Sequence, residues 1–355
     1  MPASEEEEPT YIECYNCGDT MEEDDAYTND WDMRYRCGSC NDDFEAEMEE
    51  QQRQEEEEES YLIHNYSHKP SAIFLNADGH RSYYASQYTD GQGRLRNQLY
   101  LGLELELEVG RAPREDCAAF VVEKINGNNN DSVVYLKEDG SLDHGFEIVS
   151  HPMTLDYATS KFAWDGISGL IKKGCKSWDA HNCGLHIHMS RNAFVDEKHI
   201  FKFMKFLYNN SDEMIAFAGR NVSYAKWDKD ALLGSWRDYN DATGSYEKKY
   251  ATSFMKIAKG EDNNNDRYVA VNLQNRHTIE LRFFRPSLNP NTVISAMQMC
   301  EALFTYTDTE CDTPNVMSGN ALAFRSFASW VKTQPRYSTL SERIAVRCSK
   351  HGDDN

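Results

Sequence analysis

Between Leu101 and Val109, apolar and polar positions alternate strictly in the run LGLELELEV. Period two is the pattern of a β-strand. It places Leu101, Leu103, Leu105, Leu107 and Val109 on one face and Glu104, Glu106 and Glu108 on the other. Like charges lined along a strand repel one another. Two readings stand: an amphipathic strand with solvated acids, or a strand that carries carboxylates into a cation-holding cleft.

Shorter runs repeat the motif. Ser132–Lys137 is a β-branched strand leading into Glu138-Asp139-Gly140-Ser141-Leu142, and the next strand carries Glu147 in GFEIVSHP. In CGLHIHM, His186 and His188 share a face opposite Leu185, Ile187 and Met189. Thr278–Arg285 puts Glu280 and Arg282 together, with Arg267–Leu273 as its pairing partner across Gln274–Arg276. Helical spacing predicts helices over 116–124, 155–174, 196–220 with a break near 209–210, 291–307, 319–332 and 341–348. Segments 63–74 and 81–98 read as irregular leaders, and 224–259 is polar, rich in Trp and Tyr, and fits no template.

Composition adds an asymmetry. Of 355 residues with net charge −22, the first 60 hold 23 acidic side chains against three arginines. The remainder is nearly neutral. Such an acidic arm does not grip a nucleic-acid backbone unaided; the nearly neutral main domain could still carry a local basic patch, so nucleic acid stays open as a partner. The opening MPASEEEE lacks the basic and apolar regions of a signal peptide, and no apolar run reaches membrane-spanning length. The expectation is a cytoplasmic protein without a membrane partner.

In that compartment cysteines act as metal ligands or free thiols. Cys14 and Cys17 form one CxxC knuckle and Cys37 and Cys40 another, 19 residues apart, a spacing that suits one tetrahedral Zn²⁺. Residues 11–44 therefore read as a zinc ribbon with a β-hairpin over Ala26–Arg36 and a structural or protein-docking role. Residues 1–10 read as a disordered acidic tail, 45–60 as an acidic linker, 61–348 as the main domain and 349–355 as a tail.

Four strands thus each present acids or imidazoles on one face. If those faces converge, Glu104, Glu106, Glu147, His186, His188 and Glu280 could hold Mg²⁺ or Mn²⁺, with Arg282 beside them as a phosphate clamp. No P-loop and no Gly-x-Ser-x-Gly elbow is present.

The ordered set GLELELE, EDGSL…GFEIVSHP, CGLHIH and TIELRFF, with the leader IHNYSHKPSAIF, resembles the phage and bacterial amidoligase family. That family belongs to the glutamine synthetase and γ-glutamylcysteine synthetase superfamily of carboxylate–amine ligases. The resemblance runs over about residues 61–310, outside the ribbon. It implies an α+β fold in which a curved antiparallel sheet forms a half-barrel, with helices on its outer face and two or three divalent ions inside. It implies ATP as cosubstrate and an acyl-phosphate intermediate. Glu104, His186 and Glu280 resemble the ligands of one metal, and Glu106 and Glu147 those of another, with His188 a candidate ligand or supporting group. Asp139 lies where substrate binds in relatives, and Arg282 resembles the arginine that contacts phosphates. Arg285 is a weaker catalytic candidate, and Arg267 and Arg276 are weaker candidates for nucleotide binding. The substrates implied are a small-molecule or peptide carboxylate and an amine, in host cytoplasm if the chain is phage-encoded. The rival readings are a metal-dependent hydrolase built on the histidines and glutamates, and a non-catalytic protein that works through its ribbon.

Overall fold

The computed structural model describes residues 10–28, 34–59, 62–127, 131–220, 225, 227, 269–311 and 322–348. The chain divides into two units, 1–61 and 62–355.

In the first unit, strands β1 (Tyr11–Glu13) and β2 (Thr20–Glu22) pair on either side of the Cys14–Cys17 knuckle. The hairpin expected over Ala26–Arg36 is represented by one bridge, Tyr27 to Arg36, with 29–33 outside the described residues. Helix α1 (Gly38–Glu59) begins inside the second knuckle and runs through the segment expected as a linker. Its residues explain this. Glu, Gln, Arg and Ala are good helix formers, and a tethered first turn removes part of the nucleation cost.

The second unit is built on a six-stranded antiparallel open sheet. Its strands are β7 (Leu101–Glu108), β8 (Val134–Lys137), β9 (Gly145–Ser150), β10 (Leu185–Ser190), β11 (Val271–Asn272) and β12 (Thr278–Phe284), in the order β11-β12-β10-β7-β9-β8. The most regular alternation in the sequence, β7, is a central strand. The segments read as irregular leaders contain two small hairpins, β3 (Phe74–Leu75) with β4 (Arg81–Ser82) and β5 (Gln87–Thr89) with β6 (Leu95–Asn97).

One face of the sheet is apolar. Leu101, Leu103, Leu105, Leu107, Ile148, Ile187, Ile279 and Leu281 are all fully buried in a single cluster. That cluster takes in residues of α2 (Arg114–Asn126), α5 (Glu197–Asn209), α6 (Ser211–Ala218) and α7 (Pro290–Thr309), and helices α8 (Phe324–Lys332) and α9 (Ser338–Arg347) pack alongside. Each such buried Leu or Ile contributes about 1.5–3 kcal/mol relative to exposure.

The break expected near 209–210 separates α5 from α6, and Gly219 closes α6 in the left-handed region at φ 70°. The single helix expected over 155–174 is instead two short pieces, 155–160 and 165–168, with a 3₁₀ turn after them. The pieces after the break are closely packed. A Cβ on Gly166 would lie 2.5 Å from Ile125 Cγ1, and one on Gly169 2.5 Å from Phe120 Cζ, so this stretch lies directly against α2. In β12 the alternation fails at Phe283-Phe284. There the register against β10 shifts by one residue, and both rings are buried.

Candidate active site

Register decides what meets on the other face. Glu106 of β7 stands opposite Glu147 of β9, which stands opposite Lys137 of β8. Glu104 stands opposite His186, His188 opposite Glu280, and Glu280 opposite Asn272 of β11. Directly paired residues share a face. Six groups expected from the sequence as ligands, on four strands, are thus brought together without an apolar layer among them.

The contacts are close. His186 Nδ1 lies 3.2 Å from Glu104 Oε2 and 3.7 Å from Glu280 Oε1. His188 Nε2 lies 3.1 Å from Glu104 Oε1, and its Nδ1 is 3.0 Å from Thr278 Oγ1. Glu280 Oε2 accepts from the Asn272 and Asn275 amides at 2.9 and 3.2 Å, and Arg282 is ion-paired to Oε1. Two sets emerge, Glu104/His186/Glu280 and Glu106/Glu147/His186; within each, one donor atom per residue lies within 4.8 Å of the others. His186 belongs to both.

Burial is deep for carboxyl groups: Glu106, Glu147 and Glu280 are 6%, 4% and 3% exposed. Burial and then the Glu104 charge push the Glu147 carboxyl well above the usual range, and burial raises Glu106. Burial also disfavours ionised Glu104, but His188 and His186 outweigh it and hold that group well below the usual range. His188 loses affinity for its proton through burial and regains more from Glu104, so its net shift is upward. His186 Nε2 is buried without a hydrogen-bond partner. Buried carboxylates with little compensating charge and an imidazole nitrogen left without a partner form a donor set that fits divalent cations such as Mg²⁺ or Mn²⁺.

Glu108, the third glutamate of β7, does something else. Its two oxygens accept from the backbone N–H groups of Asp143 and His144, each at 2.8 Å, and Asn182 Nδ2 donates to Oε1 at 2.6 Å. It clamps the loop after β8. In that loop Asp139 Oδ1 caps the N–H of Ser141 at 2.7 Å. Asp139 lies close enough to Glu106 and Glu147 to raise both carboxyls. Glu108→Gln is expected to leave cation affinity within about threefold while hydrogen exchange at the Asp143 and His144 amides accelerates, since a bond to a charged acceptor contributes about 1.5–3 kcal/mol. Calorimetric cation titration together with exchange measurements checks this; a loss of tenfold or more in affinity would make Glu108 a ligand.

The remaining candidates separate. Arg285 stacks on the Trp178 ring at 3.7 Å and donates to the Trp178 carbonyl at 3.0 and 2.8 Å, so most of its guanidinium is engaged there. Arg276 is exposed, and Arg267 lies outside the described residues. Sequence reasoning missed Arg220 and Gly184. Arg220 Nη1 donates to the Arg282 carbonyl at 2.5 Å, and a Cβ on Gly184 would lie 2.8 Å from Arg220 Nη2 and 2.9 Å from His186 Nε2. Glycine before the histidine strand is a visible signal; Arg220, just past α6, has none in its local pattern.

In the first unit, the sulfurs of Cys14, Cys17, Cys37 and Cys40 lie within 4.8 Å of one another, and Cys17 Sγ is 3.8 Å from Cys37 Sγ. Zn–S bonds of about 2.3 Å set tetrahedral S···S edges of about 3.8 Å, so the four thiols are arranged to hold a structural zinc. Backbone N–H groups of Cys17 and then Cys37 pull the Cys14 thiol down to about 6, which favours a thiolate ligand.

A family model described as "Putative amidoligase enzyme" matches residues 126–304. The chain belongs to this family. The match spans β8 to β12 and most of α7, with Asp139, Glu147, His186, His188, Glu280 and Arg282 inside it. Strand β7, with Glu104 and Glu106, precedes the matched region yet completes the same cluster of this amidoligase-family chain. A search of curated proteins finds no match. Among the described residues no helix is long and apolar enough to cross a membrane.

Proposed function

We propose that the chain is an ATP-dependent carboxylate–amine ligase that works through an acyl phosphate on a sheet of the glutamine synthetase type. The observation that carries this reading is the convergence of five side chains from four strands, Glu104, Glu106, Glu147, His186 and Glu280, into two sets that share His186, beside Arg282. The family match supports an enzyme of ligase type.

A carboxylate is a poor electrophile at neutral pH. Passing the γ-phosphoryl group of ATP to one of its oxygens releases ADP and gives an acyl phosphate; an amine then attacks the acyl carbon and inorganic phosphate leaves. Glu104, His186 and Glu280 would hold one cation, and Glu106 and Glu147 a second. Bound there, Mg²⁺ or Mn²⁺ supplies charge neutralisation at the nucleotide phosphates. Arg282 would exchange Glu280 for the equatorial oxygens of the transferring phosphoryl group. Asp139, on the loop that Glu108 restrains, would orient substrate. Cys183 fits no nucleophilic role, because burial and then Glu106 and Glu108 hold it as the thiol.

The test is to incubate the full chain with ATP, Mg²⁺ and a pool of amino acids, polyamines and small peptides, and to read ADP and products by mass spectrometry. The expected result is ADP formed together with a condensed amide, dependent on both partners. Metal-supported cleavage of substrate without ADP would overturn the ligase in favour of a hydrolase.

A further inference from the structure

The leader before the large sheet carries His64 and His68, and 67 residues past His64 the chain returns with Asp131. We propose that these three side chains form a further metal site, selective for Zn²⁺ or a similar nitrogen-binding divalent ion, that clips the leader to the edge of the sheet.

The geometry converges on one atom. His64 Nε2 lies 2.9 Å and His68 Nε2 3.9 Å from the same oxygen, Asp131 Oδ2. A tetrahedral zinc with bonds of about 2.0–2.1 Å to nitrogen and oxygen sets donor atoms about 3.3 Å apart. The two measured separations bracket that value. One donor atom from each of the three residues lies within 4.8 Å of the others. Both Nε2 atoms face Asp131; the rings stack at 3.8 Å between centroids with 10° between planes, and because a ligand lone pair lies in its ring plane, ion binding turns the His68 ring out of this stack. A hydrogen bond from His64 explains the first distance. It does not by itself place the second imidazole nitrogen 3.9 Å from the same oxygen.

The donors are held on ordered backbone. His64 N–H donates to the Leu136 carbonyl of β8 at 2.8 Å, and the Glu138 N–H donates to the His64 carbonyl at 2.9 Å. Asp131 has φ 53°, the single positive value among the described residues other than glycine, and its carbonyl is engaged by His151 Nε2 at 2.7 Å. His64 is 2% exposed, so its ring is already out of water. Two imidazoles and one carboxylate select borderline ions over Mg²⁺. Three protein ligands leave the fourth position to water. None of these residues belongs to the carboxylate cluster or to the cysteine set. The clip would fix the leader against β8, whose Lys137 stands opposite Glu147.

The experiment counts zinc. Full-length protein is stripped with a chelator, dialysed against Zn²⁺ and measured by elemental mass spectrometry, as wild type and as His68→Gln and Asp131→Asn. His68→Gln leaves the His64–Asp131 hydrogen bond in place, so its near-ultraviolet circular dichroism is expected to stay native. Each variant is expected to hold about one equivalent less zinc than wild type. The same loss is expected when Cys14→Ser and Cys17→Ser are also present, and Co²⁺ at this site is expected to give d–d bands without thiolate charge transfer. Equal zinc content in wild type and both variants overturns the site. The count does not depend on catalysis, so it stands apart from the ligase reading.

Discussion

Glu104→Gln is expected to reduce amine-dependent ADP formation by about 10³-fold or more. The substitution keeps the size of the side chain and removes its charge. The Glu104 carboxyl is held well below the usual range against its burial, because His188 and His186 lie 3.1 and 3.2 Å from it. It therefore attracts a cation without first giving up a proton. Metal-derived charge stabilisation amounts to several kcal/mol, and about 4 kcal/mol corresponds to a thousandfold in rate. The amide oxygen can still accept from an imidazole N–H, so melting temperature is expected to change little. Initial rates of ADP release and calorimetric Mg²⁺ titration, run beside a thermal melt, check the prediction. A rate within tenfold of wild type with native stability would remove Glu104 from the site.

Gly184→Ala is expected to lower kcat/KM by about 10²-fold while leaving the protein folded. The added methyl would lie 2.9 Å from His186 Nε2 and 2.8 Å from Arg220 Nη2, closer than a Cβ tolerates. Both neighbours are side-chain termini, so they and not the backbone give way. Overpacking of this kind costs about 1–3 kcal/mol of stability. Displacing a positioned group by about 1 Å costs about a hundredfold in rate. Rate measurements and urea melts separate the two effects, and unchanged kinetics would show that the Nε2 side of His186 is not used.

The strands of the sheet are more legible in the sequence than the chain path between them. Period-two alternation depends only on which face a residue takes, so β7, the histidine strand and β12 are legible, along with the acid and imidazole positions that share a face. Pairing is long-range. Nothing within TIELRFF states that Glu280 will stand opposite His188, and the register shift shows only as two adjacent phenylalanines. The helix expected over 155–174 is interrupted at 161–164, where Trp164 Nε1 donates to the Ala158 carbonyl at 2.6 Å, a contact that local spacing does not announce. The segment 45–60 reads as a linker, partly helical and held extended by charge repulsion; the intrinsic propensity of its residues carries the helix through to Glu59. Glu108 looked equivalent to its two neighbours because the amides it accepts from come from a loop about 35 residues further on.

One imidazole serves both ligand sets, and this has a thermodynamic consequence. The His186 ring cannot turn to improve one set of bonds without worsening the other, and an ion on one nitrogen fixes the tautomer presented to the other. The two positions cannot fill as independent equivalents. Cation uptake should follow a biphasic isotherm, with the second step reporting on an interaction energy carried by a single five-membered ring.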